Sequence, residues 1–244
     1  MTPSARLYTP PVFASKEPKI STDSYCVLDR DNGSIVVGKS MKSVRELASI
    51  TKTMTLFTTL NLLDKYKIDI DSKIIVTEKS ASISGNSAHL KCGDVLSIRD
   101  ICYALSLPSG NDAGYLLAWF FGKTIKNKGV FDQDKTKRKL LKEKKKAEKQ
   151  KKPKKKDKEQ SLIDKVKSTQ YFYNEMNKIA RDIGMQYTTY QSPHGLNNKQ
   201  NVSCVYDVSL LMTQASKNPL FITIMGEKTY TAKAQEGSPL RGDK

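Results

Sequence analysis

The chain has 244 residues, which is enough for one large domain or two small ones with a sizeable core, and this length excludes a peptide hormone or a mini-scaffold. Hydrophobic residues make up 38% and charged residues 27%, with a mean hydropathy of −0.53, so a collagen-like or wholly disordered chain is also excluded. The formal charge of +17 is local: residues 123–167 hold 20 Lys and Arg against 7 Asp and Glu, a net of +13, which leaves +4 for the other 199 residues.

Residues 1–19 are predicted to form an extended N-terminal tail, because Pro10 and Pro11 disfavour a helix and the apolar core of a secretory signal is lacking. No run approaches the ~18 apolar residues that span a bilayer, so we expect no membrane span. The cysteines and histidines show no metal-ligand spacing, so we expect no metal and the buried, reduced thiols of an intracellular protein. These residues are Cys26, Cys92, Cys102, Cys204, His89 and His194. The compartment stays open, with a mitochondrial or a cytoskeletal assembly among the candidates.

The first predicted element is an antiparallel hairpin over 24–38, where two β-branched runs flank Asn32-Gly33. From Ser49 onwards, apolar residues recur at spacings of three and four. This pattern predicts a buried helix of about four turns. Its predicted apolar face consists of Ile50, Met54, Phe57, Leu60 and Leu63.

Helical spacing recurs further along the chain. It predicts short helices over 96–107 and 112–121, separated by a Pro-Ser-Gly loop at 108–110. A longer amphipathic helix is predicted over 162–183, with Gly184 as its C-cap, and a last short helix over 206–212. The apolar face of the longer helix consists of Val166, Phe172, Met176, Ile179 and Ile183.

The segment from Lys135 to Lys158 is a low-complexity lysine tract that has almost no apolar face and cannot contribute to a core. Two interpretations stay open. The tract is either a docking element for an acidic partner, such as RNA or a microtubule surface, or a solvated insertion without a partner. It has no aromatic residue and a single arginine, Arg138, whereas base or guanidinium-type recognition favours both residue types.

Ser49 and Lys52 place a hydroxyl and an amine at i and i+3 at the start of a helix, on one face and about 5–6 Å apart. A serine oxygen becomes a good nucleophile when a base takes its proton, and a lysine desolvated by apolar neighbours is neutral enough to be that base. The helix N-terminus adds positive potential where an oxyanion would form. The alternative interpretation is an N-capping serine beside a solvated lysine.

Ser109-Gly110-Asn111 lies between two apolar helices and offers a second hydroxyl and an amide to the same cleft, or is an ordinary turn. With these residues the chain resembles the D-alanyl-D-alanine carboxypeptidases, the low-molecular-mass penicillin-binding proteins. The strings ELASITKTMT at 46–55 and LSLPSGNDAG at 105–114 look like the first two signature motifs of that family. The similarity covers roughly residues 20–235, apart from the lysine insertion.

The resemblance implies an α/β fold of the serine β-lactamase and penicillin-binding-protein class, with three layers, formed by residues 20–244 and interrupted by the Lys-rich insertion at 123–167. It implies that Ser49 is acylated, that Lys52 is its general base, and that Ser109 and Asn111 relay protons and orient the substrate. The implied reaction is acyl transfer on a peptide ending in D-alanyl-D-alanine, through a serine ester, with no metal or cofactor.

The third family motif, Lys-Thr-Gly, is absent from the sequence, and Lys228-Thr229-Tyr230 is the nearest string. The resemblance therefore implies that the C-terminal strands of the sheet are missing. The chain is a fragment, or a partner chain supplies the strands, or a carboxypeptidase-like half serves as a scaffold. The alternative function is accordingly an inactive structural subunit of a large intracellular assembly, docking through its basic insertion. His194, within 192–196, is interpreted as part of a structural turn rather than as a base.

Overall fold

The computed structural model describes residues 20–128, 167–196 and 199–233. The predicted tail at 1–19 and the lysine tract from Lys135 to Lys158 lie outside these ranges, and so does Val166 on the predicted helix face.

The predicted N-terminal hairpin is confirmed. Strand β1 (Tyr25–Leu28) pairs antiparallel with β2 (Ile35–Lys39). The connection is longer than a two-residue turn, because the Asp29 carboxylate accepts the Asp31 and Asn32 amides at 2.9 and 3.0 Å and so organises a loop over 29–34. Gly33 takes the left-handed backbone conformation, with φ of +71°.

Helix α1 (Thr51–Tyr66) is the predicted four-turn helix and the centre of the fold. It is buried almost all round and packs against three other helices, and Lys67 ends it in a left-handed conformation. The apolar face was predicted well except at Ile50. That side chain is 47% exposed, because Ile50 lies just before the first helical residue and points away from the packed face.

The segment between α1 and the next long helix holds two short strands that the sequence analysis missed. Strands β4 (Lys73–Ile75) and β5 (Val95–Ser97) pair antiparallel and flank the one-turn helix α2 (Glu78–Ala81). The predicted helix over 96–107 begins later, as α3 (Ile98–Ser106), because Ser97 and Asp100 form a capping box at its start.

Helix α4 covers 111–128 and follows α3 after the predicted loop at 108–110. It crosses the start of α5 (Ser168–Asp182) so closely that a Cβ on Gly122 would lie 2.0 Å from the Ser168 carbonyl oxygen. Gly184 follows α5 with φ of +88°, as expected for a helix C-cap.

The third strand pair joins distant parts of the chain. Strand β3 (Arg45–Glu46), just before α1, pairs antiparallel with β6 (Val202–Ser203). This pair was not predicted, because each strand has only two residues and they are separated by some 150 positions. It brings the start of α1 next to the segment that precedes α6 (Val205–Ala215), the predicted helix over 206–212.

The chain continues through α7 (Pro219–Gly226) and then docks on α3. The Tyr230 ring stacks on Tyr103 with centroids 3.8 Å apart, and its hydroxyl donates to Asp100 at 2.9 Å. The apolar core lies around α1 and is completed by side chains of α3, α4, α5, α6 and α7. No helix within the described ranges is long and apolar enough to cross a bilayer.

The four cysteines are free, as expected, but they are not uniformly buried. Cys102 and Cys204 are buried, Cys26 is half-buried and Cys92 is exposed. Burial raises the pKa of the Cys102 thiol to about 12. The expectation of buried thiols was therefore wrong for Cys92, which lies in the loop before β5 rather than on a packed element.

Candidate active site

Ser49 lies at the surface, two residues before the first residue of α1. Tight i to i+3 backbone hydrogen bonds, from Thr51 N to Ala48 O and from Lys52 N to Ser49 O, lead the chain into the helix. The Ser49 hydroxyl therefore lies beside the positive N-terminal end of a long buried helix. Its Oγ is the hydrogen-bond acceptor of the Lys52 ammonium, at 3.1 Å.

Lys52 is the buried member of this pair, with only 5% of its surface exposed. Its Nζ donates to Ser49 Oγ and, at 3.3 Å, to the backbone oxygen of His194. Burial lowers the pKa of Lys52 to about 8, against an opposing contribution from the charge of Asp112. At neutral pH, a fraction of such a lysine is a neutral amine, within hydrogen-bond distance of a serine hydroxyl.

The structure brings Asn111 to the same cleft as Ser49. Asn111 is buried at the start of α4, and its Nδ2 donates to Ser84 O at 2.9 Å while its backbone amide donates to Asn86 O at 2.7 Å. Ser109 is half-buried in the preceding loop, with a left-handed φ of +57° that is uncommon for a residue other than glycine. The structure gives no hydrogen bond between Ser109 and the other three predicted site residues, and Ser109 does not line the cavity described below.

Asp112 fixes the loop that faces Ser49 across the cleft. This fully buried carboxylate accepts hydrogen bonds from the Ser87 hydroxyl at 2.7 Å and from the amides of Ala88 and Leu90 at 3.0 to 3.2 Å. These partners, the Ser87 hydroxyl and two backbone amides, lie 22 to 25 positions earlier in the chain and leave no pattern in the sequence.

The 192–196 turn closes the third side of the cleft. Gly195 has φ of +76°, and a Cβ at this position would lie 2.1 Å from the Ala48 carbonyl oxygen, so the close approach requires glycine. Burial lowers the pKa of His194 to about 4, and its Nδ1 accepts the Leu196 amide at 3.1 Å. The ring is therefore neutral and engaged within the turn, which agrees with the structural interpretation.

Together these elements enclose a cavity of about 350 Å³ with Ser49 in its wall. Chemically, the arrangement offers a nucleophile, an adjacent base, an amide donor and a helix N-terminus, which are the groups that an acyl transfer requires. No cluster of three or more potential metal ligands occurs in the described parts of the chain. The lining residues are Glu46, Leu47, Ala48, Ser49, Gly85, Asn86, Asn111, His194, Gly195 and Leu196.

The sequence profile of the peptidase S11 family, the D-alanyl-D-alanine carboxypeptidases, matches residues 11–127 and 161–241. The chain belongs to the D-alanyl-D-alanine carboxypeptidase family. It is 23% identical over 216 residues to the D-alanyl-D-alanine carboxypeptidase DacF of Bacillus subtilis, and 25% identical over 227 residues to the D-alanyl-D-alanine carboxypeptidase of Streptomyces strain K15. These matches cover 86% and 91% of this chain but only 44% and 64% of the relatives, so the chain spans less than two-thirds of either relative.

Solved structures of the carboxypeptidase family show the fold. The Streptomyces K15 DD-transpeptidase aligns with a TM-score of 0.69 at 24% identity, over 92% of this chain and 72% of that chain. The carboxypeptidase DacD from Francisella tularensis aligns with a TM-score of 0.67 at 22% identity, over 89% and 42% of the two chains. The predicted α/β fold of the penicillin-binding-protein and serine β-lactamase class is therefore confirmed.

Between its two matched segments, the family profile leaves residues 128–160 unmatched, and these fall within the 123–167 window defined by charge. Helix α4 continues through 123–128. The string Lys228-Thr229-Tyr230, which is nearest to the third motif, lies on the α3 side of the molecule. Tyr230 is held there by Tyr103 and Asp100, and none of the three residues lines the Ser49 cavity.

Sequence reasoning missed several residues that shape this site. Gly85 has a left-handed φ of +86° and lies so close to Asn111 that a Cβ would contact the Asn111 amide nitrogen at 2.6 Å. The Gly-Asn pair at 85–86 was the sequence signal for this turn. The His194 carbonyl and the buried Asn201 side chain gave no signal, because each contacts a residue of α1 that lies 142 or 150 positions earlier in the chain.

Proposed function

We propose that the chain catalyses serine acyl transfer on peptides ending in D-alanyl-D-alanine, with Ser49 as the nucleophile and Lys52 as the general base. The observation that carries this proposal is the 3.1 Å hydrogen bond between a buried lysine amine and an exposed serine hydroxyl at the start of α1. Membership of the carboxypeptidase family supports the class of substrate.

In the proposed reaction, Ser49 Oγ attacks the carbonyl carbon of the penultimate D-alanine while its proton passes to neutral Lys52. The tetrahedral intermediate then breaks its bond to the terminal D-alanine, whose nitrogen takes the proton from Lys52 and leaves as an amine. The remaining serine ester is hydrolysed by water, which restores the Ser49 hydroxyl and releases the shortened peptide. Penicillins acylate the same serine oxygen through their β-lactam carbonyl and give a serine ester of their own, which makes them suitable reporters.

Asn111 and Ser109 are proposed to orient the substrate and relay protons. The Asn111 amide lies in the cavity wall and is fixed by the Ser84 carbonyl, so its position does not depend on the substrate. The support for Ser109 is less direct. Its backbone is left-handed, a conformation that is found preferentially at functional sites, and it lies two residues before Asn111 in the cavity wall.

The test is covalent labelling with a fluorescent penicillin, followed by mass spectrometry of the labelled peptide. We expect label on Ser49, no label on Ser49→Ala, and strongly slowed labelling of Lys52→Arg, whose guanidinium stays protonated. Ser43→Ala is the matched control, because Ser43 is an exposed serine near the same helix start but outside the cavity lining. A native protein that takes no label on Ser49 would refute the proposal.

A second candidate function, that of a structural subunit, is favoured by the surface beside β1. Among the described strands, β1 pairs with β2 and with no other strand, and two-stranded sheets are marginal alone. Two cavities of about 380 and 440 Å³ share Cys26, Val208 and Ser209 between β1 and α6, and nearby Val27 is 47% exposed. We propose that a strand of a second polypeptide covers this groove in an intracellular assembly.

This second proposal predicts slower hydrogen exchange of the β1 amides in the native assembly than in the isolated chain. Val27→Lys should abolish that protection, whereas Ile75→Lys, equally exposed at 47% but on β4, should not. Equal exchange in both forms would contradict it.

Deleting 135–158 and measuring salt-dependent binding to RNA and to acidic filaments tests whether the lysine tract contributes to docking, and unchanged binding would exclude it. Cell fractionation tests the intracellular location.

A further inference from the structure

The Asn201 side chain makes five hydrogen-bond contacts near the candidate site, although it lies outside the cavity lining. It is fully buried, next to strand β6. Its Oδ1 accepts the amides of Gln191 and Ser192 at 2.7 and 3.0 Å. Its Nδ2 lies 3.0 Å from Ser192 Oγ, 3.3 Å from Ser192 O and 3.2 Å from Thr51 Oγ1. One amide side chain therefore ties the 191–192 segment to the first residue of α1.

The contacts of Asn201 continue through the turn to Lys52. Ser192 Oγ, which contacts Asn201, also accepts the Gly195 amide at 3.0 Å and so holds the turn closed. Within the turn, Pro193 O accepts the Thr55 hydroxyl at 2.6 Å, and the next carbonyl, that of residue 194, accepts Lys52 Nζ. The turn is thus attached to α1 at Thr55 as well as at Lys52.

The carbonyl contact fixes the direction of the lysine amine. A neutral amine has two N–H donors and one lone pair. When one N–H donates to the His194 carbonyl, rotation about the terminal carbon–nitrogen bond is restricted, and the lone pair can face Ser49 Oγ. Without a fixed carbonyl, the same amine rotates and meets the hydroxyl in the reactive orientation for a smaller fraction of the time.

We infer that Asn201 is a positioning residue for the Ser49 acyl transfer, which it supports by holding the 192–195 turn so that the His194 carbonyl orients Lys52. The inference deepens the proposed function and rests on it. Asn201 contacts neither Ser49 nor the cavity, and its effect reaches the reaction through Ser192 and the turn.

The test compares Asn201→Ala with Asn177→Ala. Asn177 is the matched control, because its side chain also fixes the same connecting segment, at Tyr190, with hydrogen bonds of 2.7 and 2.9 Å, but it has no link to Lys52. For labelling by penicillin, we expect Asn201→Ala to lower the maximal acylation rate about tenfold to hundredfold, as part of what a general base contributes, with little change in the concentration at half-saturation. Asn177→Ala should keep the wild-type maximal rate.

A second readout needs no acylation. In protein labelled with ¹³Cε-lysine, the Lys52 signal, assigned by its loss in Lys52→Arg, reports its own titration. We expect Asn201→Ala to shift the midpoint of this titration by about half a pH unit or more, and Asn177→Ala to leave it unchanged. Ser192→Ala, which removes one oxygen, replaces Asn201→Ala if that variant does not fold.

The two failures are distinguishable. Absence of label on wild-type Ser49 contradicts the proposed function, and the lysine titration still tests the positioning. An unchanged Lys52 titration in Asn201→Ala, or equal losses of maximal rate in Asn201→Ala and Asn177→Ala, would overturn the inference, because a merely structural residue predicts these results.

Discussion

Acylation of Ser49 should follow the ionisation of Lys52. In the proposed reaction the reactive form is the neutral amine, and burial lowers the pKa of Lys52 to about 8. The neutral fraction is then roughly one-tenth at pH 7, one-half at pH 8 and nine-tenths at pH 9. We therefore expect the rate of penicillin labelling to rise about tenfold between pH 7 and pH 9 and then to level off.

The assay is the initial rate of labelling at subsaturating penicillin between pH 6 and pH 10, with circular dichroism confirming that the protein stays folded. Lys52→Arg should give a slow, flat profile over the same range. A wild-type profile that is flat between pH 7 and pH 9, or that still rises steeply at pH 10 as the ordinary lysine pKa of 10.5 predicts, would refute the assignment of Lys52 as a desolvated base.

The charge of Asp112 provides a second test of the role of Lys52 ionisation. Because Asp112 favours the ammonium form of Lys52, Asp112→Asn should move the midpoint of the profile below pH 8. The same substitution also weakens the hold on Ser87, so Ser87→Ala serves as the control: it removes one hydrogen bond to Asp112 and leaves the charge. An equal shift of the midpoint in both variants would show that the loop, and not the charge, sets the ionisation of Lys52.

Three further predictions concern stability, measured by urea unfolding with unchanged m-values. Gly195→Ala should lower the free energy of unfolding clearly more than Gly33→Ala. Both glycines have φ above +70°, which costs an alanine about 1 kcal/mol, but only at position 195 would the new Cβ meet a backbone oxygen, at 2.1 Å. Equal losses of stability would contradict this close approach. Lys52→Met should raise the free energy of unfolding by about 2 kcal/mol at pH 7. This gain should shrink as the pH rises from 8 to 10.5, because in that range the lysine loses its proton on folding and no ammonium has to be buried. A gain that stays constant with pH would be inconsistent with the lowered pKa of Lys52. Tyr230→Phe should lower the free energy of unfolding by about 1 kcal/mol, because it removes the hydrogen bond to Asp100 and keeps the ring stacking on Tyr103. An unchanged stability would show that this hydrogen bond contributes nothing.

The sequence predicted those parts of the fold whose signals are local. The hairpin over 24–38 followed from Asn32-Gly33 between β-branched runs, and α1 followed from apolar spacing over four turns. Both features depend on interactions between residues close in the chain. The position of Ser49 and Lys52 on one helix start could be predicted for the same reason, since residues at i and i+3 share a helix face.

The parts that could not be predicted depend on contacts between distant residues. Strands β3 and β6 have two residues each, too few for any alternation of polar and apolar side chains to be visible. The exposure of Ile50 depends on where the helix begins, which the spacing of apolar residues does not define. The attachment of the 192–196 turn to α1 joins residues some 140 positions apart, and only the folded chain brings them together.

The arrangement around Lys52 explains how a buried amine avoids a salt bridge that would keep it charged. The carboxylate whose charge acts on it, Asp112, is fully buried and is occupied by the Ser87 hydroxyl and by backbone amides, so no ion pair joins Asp112 to Lys52 among the described residues. Had that carboxylate bound the ammonium directly, the pKa of Lys52 would be raised and the amine would stay protonated at neutral pH. Using the acid to hold the facing loop, and a neutral carbonyl to orient the amine, leaves desolvation as the dominant influence on Lys52. The same contacts therefore build the cleft and keep the Lys52 amine partly neutral.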